Sequence, residues 1–280
     1  MDKNLPVLSK LILPSFLTLF KGVKIKAEGI AITESYADVD IDRESLIKYT
    51  DFIGLKTEFP LAFFYLMAQR AQTALMLNPK FTIAVPGMVH LSNKLEQISS
   101  INPSLPFDIN TEVKVDYKET GSLIAMFKVD FSQKGDVVIR CESTYLAKRK
   151  SAGQKKPKKE VIEMIGNPQF EEIWDIPAGL GKKYGQSSGD KNPIHFSGLF
   201  AKIVGFKGAI LHGWYSVSRA SKMIEEKFSE TYQCIEVEFL SPVFLPSQQK
   251  VIWKKNEDNK VSFQICDVQT GKLTMQGRLH

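Results

Sequence analysis

Six positions of the stretch SSGDKNPIH, Asp190 to His195, hold an aspartate, an asparagine and a histidine. A carboxylate and an imidazole held together make an acid/base pair, because their ordinary pKa values bracket the range useful near neutral pH. Asn192 followed by Pro193 reads as a helix start, with Asn at the cap and Pro at the first helical position. Asp190 then stands just before the helix and His195 in its first turn, so both side chains could converge on one pocket. The plainer reading is that Asp190 serves a turn and His195 is a surface residue of that first turn.

A second feature bears on the choice. Seventeen residues beyond His195, the pair His212-Gly213 opens an expected long helix, HGWYSVSRASKMIEEKF. A helix start presents free N–H groups and the positive end of the helix dipole, a setting suited to an oxyanion. Gly213 has no side chain, so a carbonyl could approach its N–H closely. Proton transfer beside a thioester carbonyl needs that combination of acid/base pair and oxyanion donor. Helix–sheet packing explains the glycine equally well.

The elements that must carry these residues show a repeat. FKVDFSQKG (127–135) aligns without gaps on FQICDVQTG (263–271) at an offset of 136, each a strand running into a glycine-containing hairpin turn. At an offset of 135, DIDRESLIKYTDFIG (40–54) aligns on DIPAGLGKKYGQSSG (175–189). Similar offsets in matching order argue for duplication. Each half then reads as an early strand, a helical stretch, and a closing run of strands. In the second half those closing strands fall near 233–239, 251–255, 261–268 and 272–279. Trp214, Val217, Ala220, Ile224 and Phe228 recur at near-helical spacing and give the intervening helix one buried face. The expected class is therefore α+β, a helix packed on an antiparallel sheet in each half.

Composition narrows the alternatives. The 280 residues are 43% apolar, which suits a globular chain with a sizeable core. Cys141, Cys234 and Cys266 are too few and too scattered for a disulfide framework, and no Cys/His spacing suggests zinc. Reduced core cysteines in a cytoplasmic protein are expected. The net charge of +6 is matched by KRKSAGQKKPKKE (148–160) alone, so the rest of the chain sums to zero. That run reads as a solvated linker rather than a nucleic-acid surface, which would spread over a folded face with interleaved aromatics. It divides the chain into 1–147 and 161–280. The apolar run Leu11–Phe20 is too short to span a bilayer and contains Pro14. It reads as an amphipathic segment packed on the body, with peripheral membrane contact as the minor alternative.

YGQSSGDKNPIH followed by GFKGAILHGW resembles the MaoC-like dehydratases, the family that includes the (R)-specific enoyl-CoA hydratases (hydratase 2). The resemblance rests on Tyr184, Ser188, Gly189, Asp190, Asn192, Pro193, Ile194, His195, Ala201, Gly205, Phe206, His212 and Gly213. It implies a hot-dog fold, here a double hot dog, with a degenerate first repeat and a catalytic second one. It further implies that Asp190 and His195 position and activate the water that adds across a trans-2-enoyl thioester, giving a (3R)-hydroxyacyl thioester. Asn192 would orient the pair, and the Gly213 N–H would hold the developing enolate oxygen. Tyr184, Ser188, Gly189, Phe206 and His212 would line the substrate site. No metal or redox cofactor is implied; the substrate arrives as a thioester of coenzyme A or of an acyl carrier protein. A monomer or a homodimer fits.

The first half departs from the pattern. In the 135-offset comparison Leu55 takes the place of Asp190; beyond it the spacing drifts, Ala62 falls roughly at His195, and Pro86 before Gly87 replaces the histidine of His212-Gly213. One active site is expected, in the second half. The apolar stretch LAFFYLMAQRAQTALML (61–77) is either room for a medium or long acyl chain or an ordinary core helix. The rival functions are a hot-dog thioesterase and a non-catalytic acyl-thioester-binding protein.

Overall fold

The computed structural model describes residues 4–20, 29–117, 122–147 and 162–280. The basic run 148–160 lies outside them. A ten-stranded antiparallel sheet organises the molecule. The first repeat contributes β1 (Ala31–Val39), β2 (Met88–Gln97), β3 (Phe107–Tyr117), β4 (Leu123–Gln133) and β5 (Asp136–Ala147). The second contributes β6 (Phe170–Ile176), β7 (Cys234–Phe239), β8 (Ser247–Lys255), β9 (Val261–Asp267) and β10 (Leu273–Leu279).

The strand order is β1-β3-β4-β5-β2-β7-β10-β9-β8-β6, so each repeat has the same internal order and the second follows the first in reverse. The repeats join edge to edge where β2 pairs with β7, Leu95 opposite Ile235 and Asn93 opposite Val237. That pairing consumes one free edge from each repeat, which would otherwise expose unpaired backbone groups. Alternation explains the inner face: Phe107, Ile109, Thr111, Val113 and Val115 of β3 are buried while Asp108, Lys114 and Asp116 are not. The chain is thus a double hot dog, with helices laid against one large sheet.

Two sixteen-residue helices form the centre, α3 (Leu61–Met76) and α6 (Gly213–Phe228). Twelve residues of α3 are buried, as expected of a helix apolar nearly all round. α6 is amphipathic, and its buried Ser218 and Ser221 hydroxyls donate to the carbonyls of Trp214 and Val217 one turn back. The two helices touch at their N-terminal ends. The Trp214 indole stacks on Tyr65 at 3.8 Å between centroids, and its Nε1–H donates to the Ala62 carbonyl at 2.9 Å.

Shorter helices precede them: α2 (Arg43–Ile53) in the first repeat and α4 (Leu180–Ser188) in the second. Both end on a left-handed glycine, Gly54 at φ 83° and Gly189 at φ 81°, which makes the 135-residue offset a structural equivalence. The N-terminal segment forms α1 (Leu8–Leu17), which runs through Pro14 and lies against α3. There Arg70 donates to the carbonyls of Pro6 and Leu5 at 2.8 and 2.9 Å. All three cysteines are free and buried, and burial pushes the Cys141 thiol up to about 11.

The equivalence breaks after the capping glycines. α3 begins at Leu61, seven residues beyond Gly54, whereas α6 begins twenty-four residues beyond Gly189. The extra chain holds a single 3-10 turn, Pro193–His195, and a short helix α5 (Gly198–Ile203). Two sequence-based correspondences are corrected by this. Ala62 lies inside α3 and has no counterpart in His195, because the first repeat lacks that inserted turn. Pro60 caps α3 as His212 caps α6, whereas Pro86-Gly87 lies in the loop leading to β2. Leu55 does follow its glycine cap as Asp190 follows Gly189.

Candidate active site

The loop after α4 builds the candidate site. Asn192 caps the 3-10 turn, its side-chain oxygen accepting from Ile194 N–H at 3.3 Å. The expected longer helix is only this one turn, since the chain breaks at Phe196 before α5. Ser188 closes the other side, its hydroxyl accepting from Asp190 N–H at 3.3 Å.

Two glycines of α4 let this loop come close. A Cβ on Gly181 would sit 1.9 Å from the His195 carbonyl oxygen, and one on Gly185 would sit 2.5 Å from that of Asp190. Both distances are impossible contacts, so the glycine pair, spaced one helical turn apart, forms the groove in which the 190–195 loop lies. Glycine inside a helix costs about 1 kcal/mol relative to alanine. Here that cost is set against access to the loop backbone. Sequence reasoning missed the pair, although two glycines four apart in one helical stretch were its visible signal.

Asp190, His195 and His212 are brought together, all buried, with ligand-capable atoms within 4.8 Å of one another. The His195 and His212 rings stack with centroids 3.5 Å apart. His195 Nδ1 lies 2.9 Å from the Ile210 carbonyl, which can only accept, so Nδ1 carries the proton and Nε2 keeps its lone pair. By the same logic His212 donates from Nε2 to the Asp190 backbone carbonyl at 3.0 Å. Its Nδ1 is buried with no hydrogen-bond partner among the described residues.

The Asp190 carboxylate is held on both oxygens. Oδ1 accepts from Asn192 N–H at 3.1 Å, and Oδ2 accepts from the side chain of Gln69 at 2.8 Å. Gln69 belongs to α3, so the repeat that lacks the motif contributes a donor to it. Burial pushes the Asp190 carboxyl up, but His212 and His195, and then the Gln69 and Asn192 donors, outweigh burial and hold it below its ordinary value. Burial lowers His195, with Asp190 opposing, and lowers His212 to about 3, where His195 adds to the effect. Near neutral pH the cluster is therefore one carboxylate beside two neutral imidazoles.

Gly213 occupies the first position of α6, where no intrahelical acceptor exists for its N–H. A Cβ there would lie 2.6 Å from the Phe239 ring, so packing alone forbids a side chain. The packing reading of this glycine therefore holds, with its N–H at the start of the helix. Tyr184 is buried edge-on to His212, with ring centroids 4.8 Å apart. Gly189 supplies the left-handed cap before Asp190. Phe206 stands apart: it is half-buried beyond α5, and its backbone N–H donates to Ala201.

A polar chain buried in the first repeat was also not foreseen. Gln72 donates to Ser143 at 2.8 Å and accepts from the Tyr145 hydroxyl at 2.9 Å. His90 stacks on Tyr145 at 4.4 Å, with Phe239 beside it at 4.7 Å. The signal for Gln69 and Gln72 lay in two glutamines within an otherwise apolar helical run.

Residues 181–277 match the family described as MaoC like domain. The match lies wholly within the second repeat. The chain is similar to 3-hydroxyacyl-thioester dehydratase X of Mycobacterium tuberculosis, 23% identical over 217 residues, 77% of each chain. It is also similar to the peroxisomal hydratase-dehydrogenase-epimerase of Neurospora crassa, 43% identical over 90 residues. That match covers 32% of this chain and 10% of the fungal protein. Among solved structures, HtdX of Mycobacterium tuberculosis superposes with a TM-score of 0.70 at 20% identity, covering 89% of this chain and 99% of that one. The likeness in fold therefore spans both repeats, while the segment that matches the family contains Asp190, Asn192, His195, His212 and Gly213.

Proposed function

We propose that this protein is a hydro-lyase that reversibly hydrates trans-2-enoyl thioesters to (3R)-hydroxyacyl thioesters. The observation that carries the reading is the buried cluster of Asp190, His195 and His212 at the N-terminus of α6. In hydration, a water held between the Asp190 carboxylate and His195 Nε2 adds its hydroxyl to C3. Its proton passes through the pair to C2. As charge develops on the thioester oxygen, the Gly213 N–H and the dipole of α6 stabilise it. The Ile210 carbonyl keeps His195 in the tautomer whose Nε2 can accept a proton. Dehydration runs the same steps backwards.

The thioester supplies the activation of C2, so the proposed chemistry runs without a metal. The same three side chains could bridge a divalent ion by their spacing, and chelation distinguishes the two cases. Medium or long acyl chains are proposed, on the apolar character of α3 beside the site; coenzyme A or an acyl carrier protein would carry them. A thioesterase reading is not favoured, because water held by a neutral base beside C3 leads to addition rather than acyl cleavage. The test follows enoyl-CoA absorbance across chain lengths with purified protein. Asp190→Asn and His195→Ala each lower turnover by about a hundredfold or more. Near-normal hydration by either variant refutes the mechanism.

A further inference from the structure

Apolar side chains that the fold leaves uncovered gather in one place. Fifteen large apolar residues are exposed among the described residues, and eight of them fall within 7–19 and 196–203. The most exposed are Leu13 at 69% and Leu17 at 55% on α1, with Leu199 at 70% and Ile203 at 64% on α5. The Phe16 and Phe200 rings meet edge-on at 6.1 Å, so the two helices form a single face. Both are anchored from behind. Leu8 and Ser15 of α1 are buried, Arg70 holds the chain just before it, and Ala201 of α5 is fully buried.

The two segments that bear this face carry charge of one sign. Residues 4–20 and 191–212 contain no Asp or Glu, while Lys10, Lys191, Lys202 and Lys207 are all exposed. We propose that this face docks on an anionic lipid surface. Leu13, Leu17, Leu199 and Ile203 would enter the boundary between headgroups and acyl chains, and the lysines would meet the headgroups. Exposed apolar residues rimmed by lysine on short helices have the composition of interfacial segments. Each lysine near an anionic leaflet adds to the attraction. A second copy of this chain fits less well, because a two-fold interface sets a patch against itself and would oppose the same lysines.

The position has a consequence for substrate entry. α5 lies on the segment that joins His195 to His212, so the docked face is the outer side of the chain bearing both histidines. A membrane-resident acyl chain would meet the site there. That consequence rests on the proposed thioester chemistry; the docking itself does not.

The test is co-sedimentation of the full chain with phosphatidylcholine vesicles, with and without phosphatidylglycerol. Binding to the anionic vesicles is expected, weaker in high salt and on neutral vesicles. Leu13→Asp with Ile203→Asp should lower partitioning by about tenfold or more, while hydration of a short, soluble enoyl-CoA stays unchanged. Absence of binding to anionic vesicles, or equal binding by the variant, overturns the proposal. A dimer in sedimentation equilibrium that this variant dissociates, without vesicle binding, also overturns it in favour of self-association. Turnover is read separately, so loss of activity in the unmodified protein bears on the chemistry and not on the docking.

Discussion

Replacing Gln69 tests whether the first repeat serves the site as more than scaffolding. Gln69→Leu keeps the size of the side chain and removes the amide that donates to Asp190 Oδ2 at 2.8 Å. A hydrogen bond to a buried charge contributes about 1.5–3 kcal/mol. If the donor orients the carboxylate for water, losing it costs about ten- to a hundredfold in kcat, at about 1.4 kcal/mol per decade. The bond also helps hold the Asp190 carboxyl below its ordinary value, so its removal moves that pKa up. The acidic limb of the pH–rate profile then shifts to higher pH. Gln69→Glu should shift it further, because a second carboxylate against Asp190 disfavours ionising both. The assay is enoyl-CoA hydration from acid to neutral pH, with circular dichroism to confirm folding. A Gln69→Leu variant that keeps wild-type kcat and an unmoved acidic limb refutes the reasoning. Gln69 would then be a core residue that happens to lie near Asp190.

Other outcomes follow from the same geometry. Gly181→Ala should destabilise the protein and depress turnover together, since its Cβ would meet the His195 carbonyl at 1.9 Å; thermal melting and kinetics on one preparation check this. Gly213→Ala should clash with Phe239 and weaken thioester binding, which a comparison of KM and kcat resolves. Incubation with a chelator should leave hydration unchanged if the Asp190–His195–His212 cluster moves protons without a metal. Stability should fall in mild acid. His90 and His212 are lowered to about 3 in the folded protein by burial, so only the unfolded chain takes up their protons as pH falls below about 6.5. Each histidine then removes about 1.4 kcal/mol of stability per pH unit between those limits, which urea titrations across that range would measure.

The sequence by itself determined the local chemistry and the duplication. Alternation and helical spacing marked the strands and α6, because burial on one face imposes those periods whatever lies opposite. The Asn192-Pro193 cap and the His212-Gly213 helix start were legible because both obey short-range rules. The alignment paired Gly54 with Gly189, and the structure showed both to be left-handed helix caps. Only the tertiary structure decided what those parts meet. Pairing of β2 with β7 is a contact between distant segments, and it sets α3 beside α6. That places Gln69 on Asp190, a partner 121 residues away that no local pattern specifies. The inserted turn and α5 also defeated the sequence alignment of the repeats. A constant offset assumes equal loops, whereas chain length between two fixed helices is free to vary wherever it runs over the surface. SSGDKNPIH named the candidate groups; the fold chose their neighbours, their protonation and their burial.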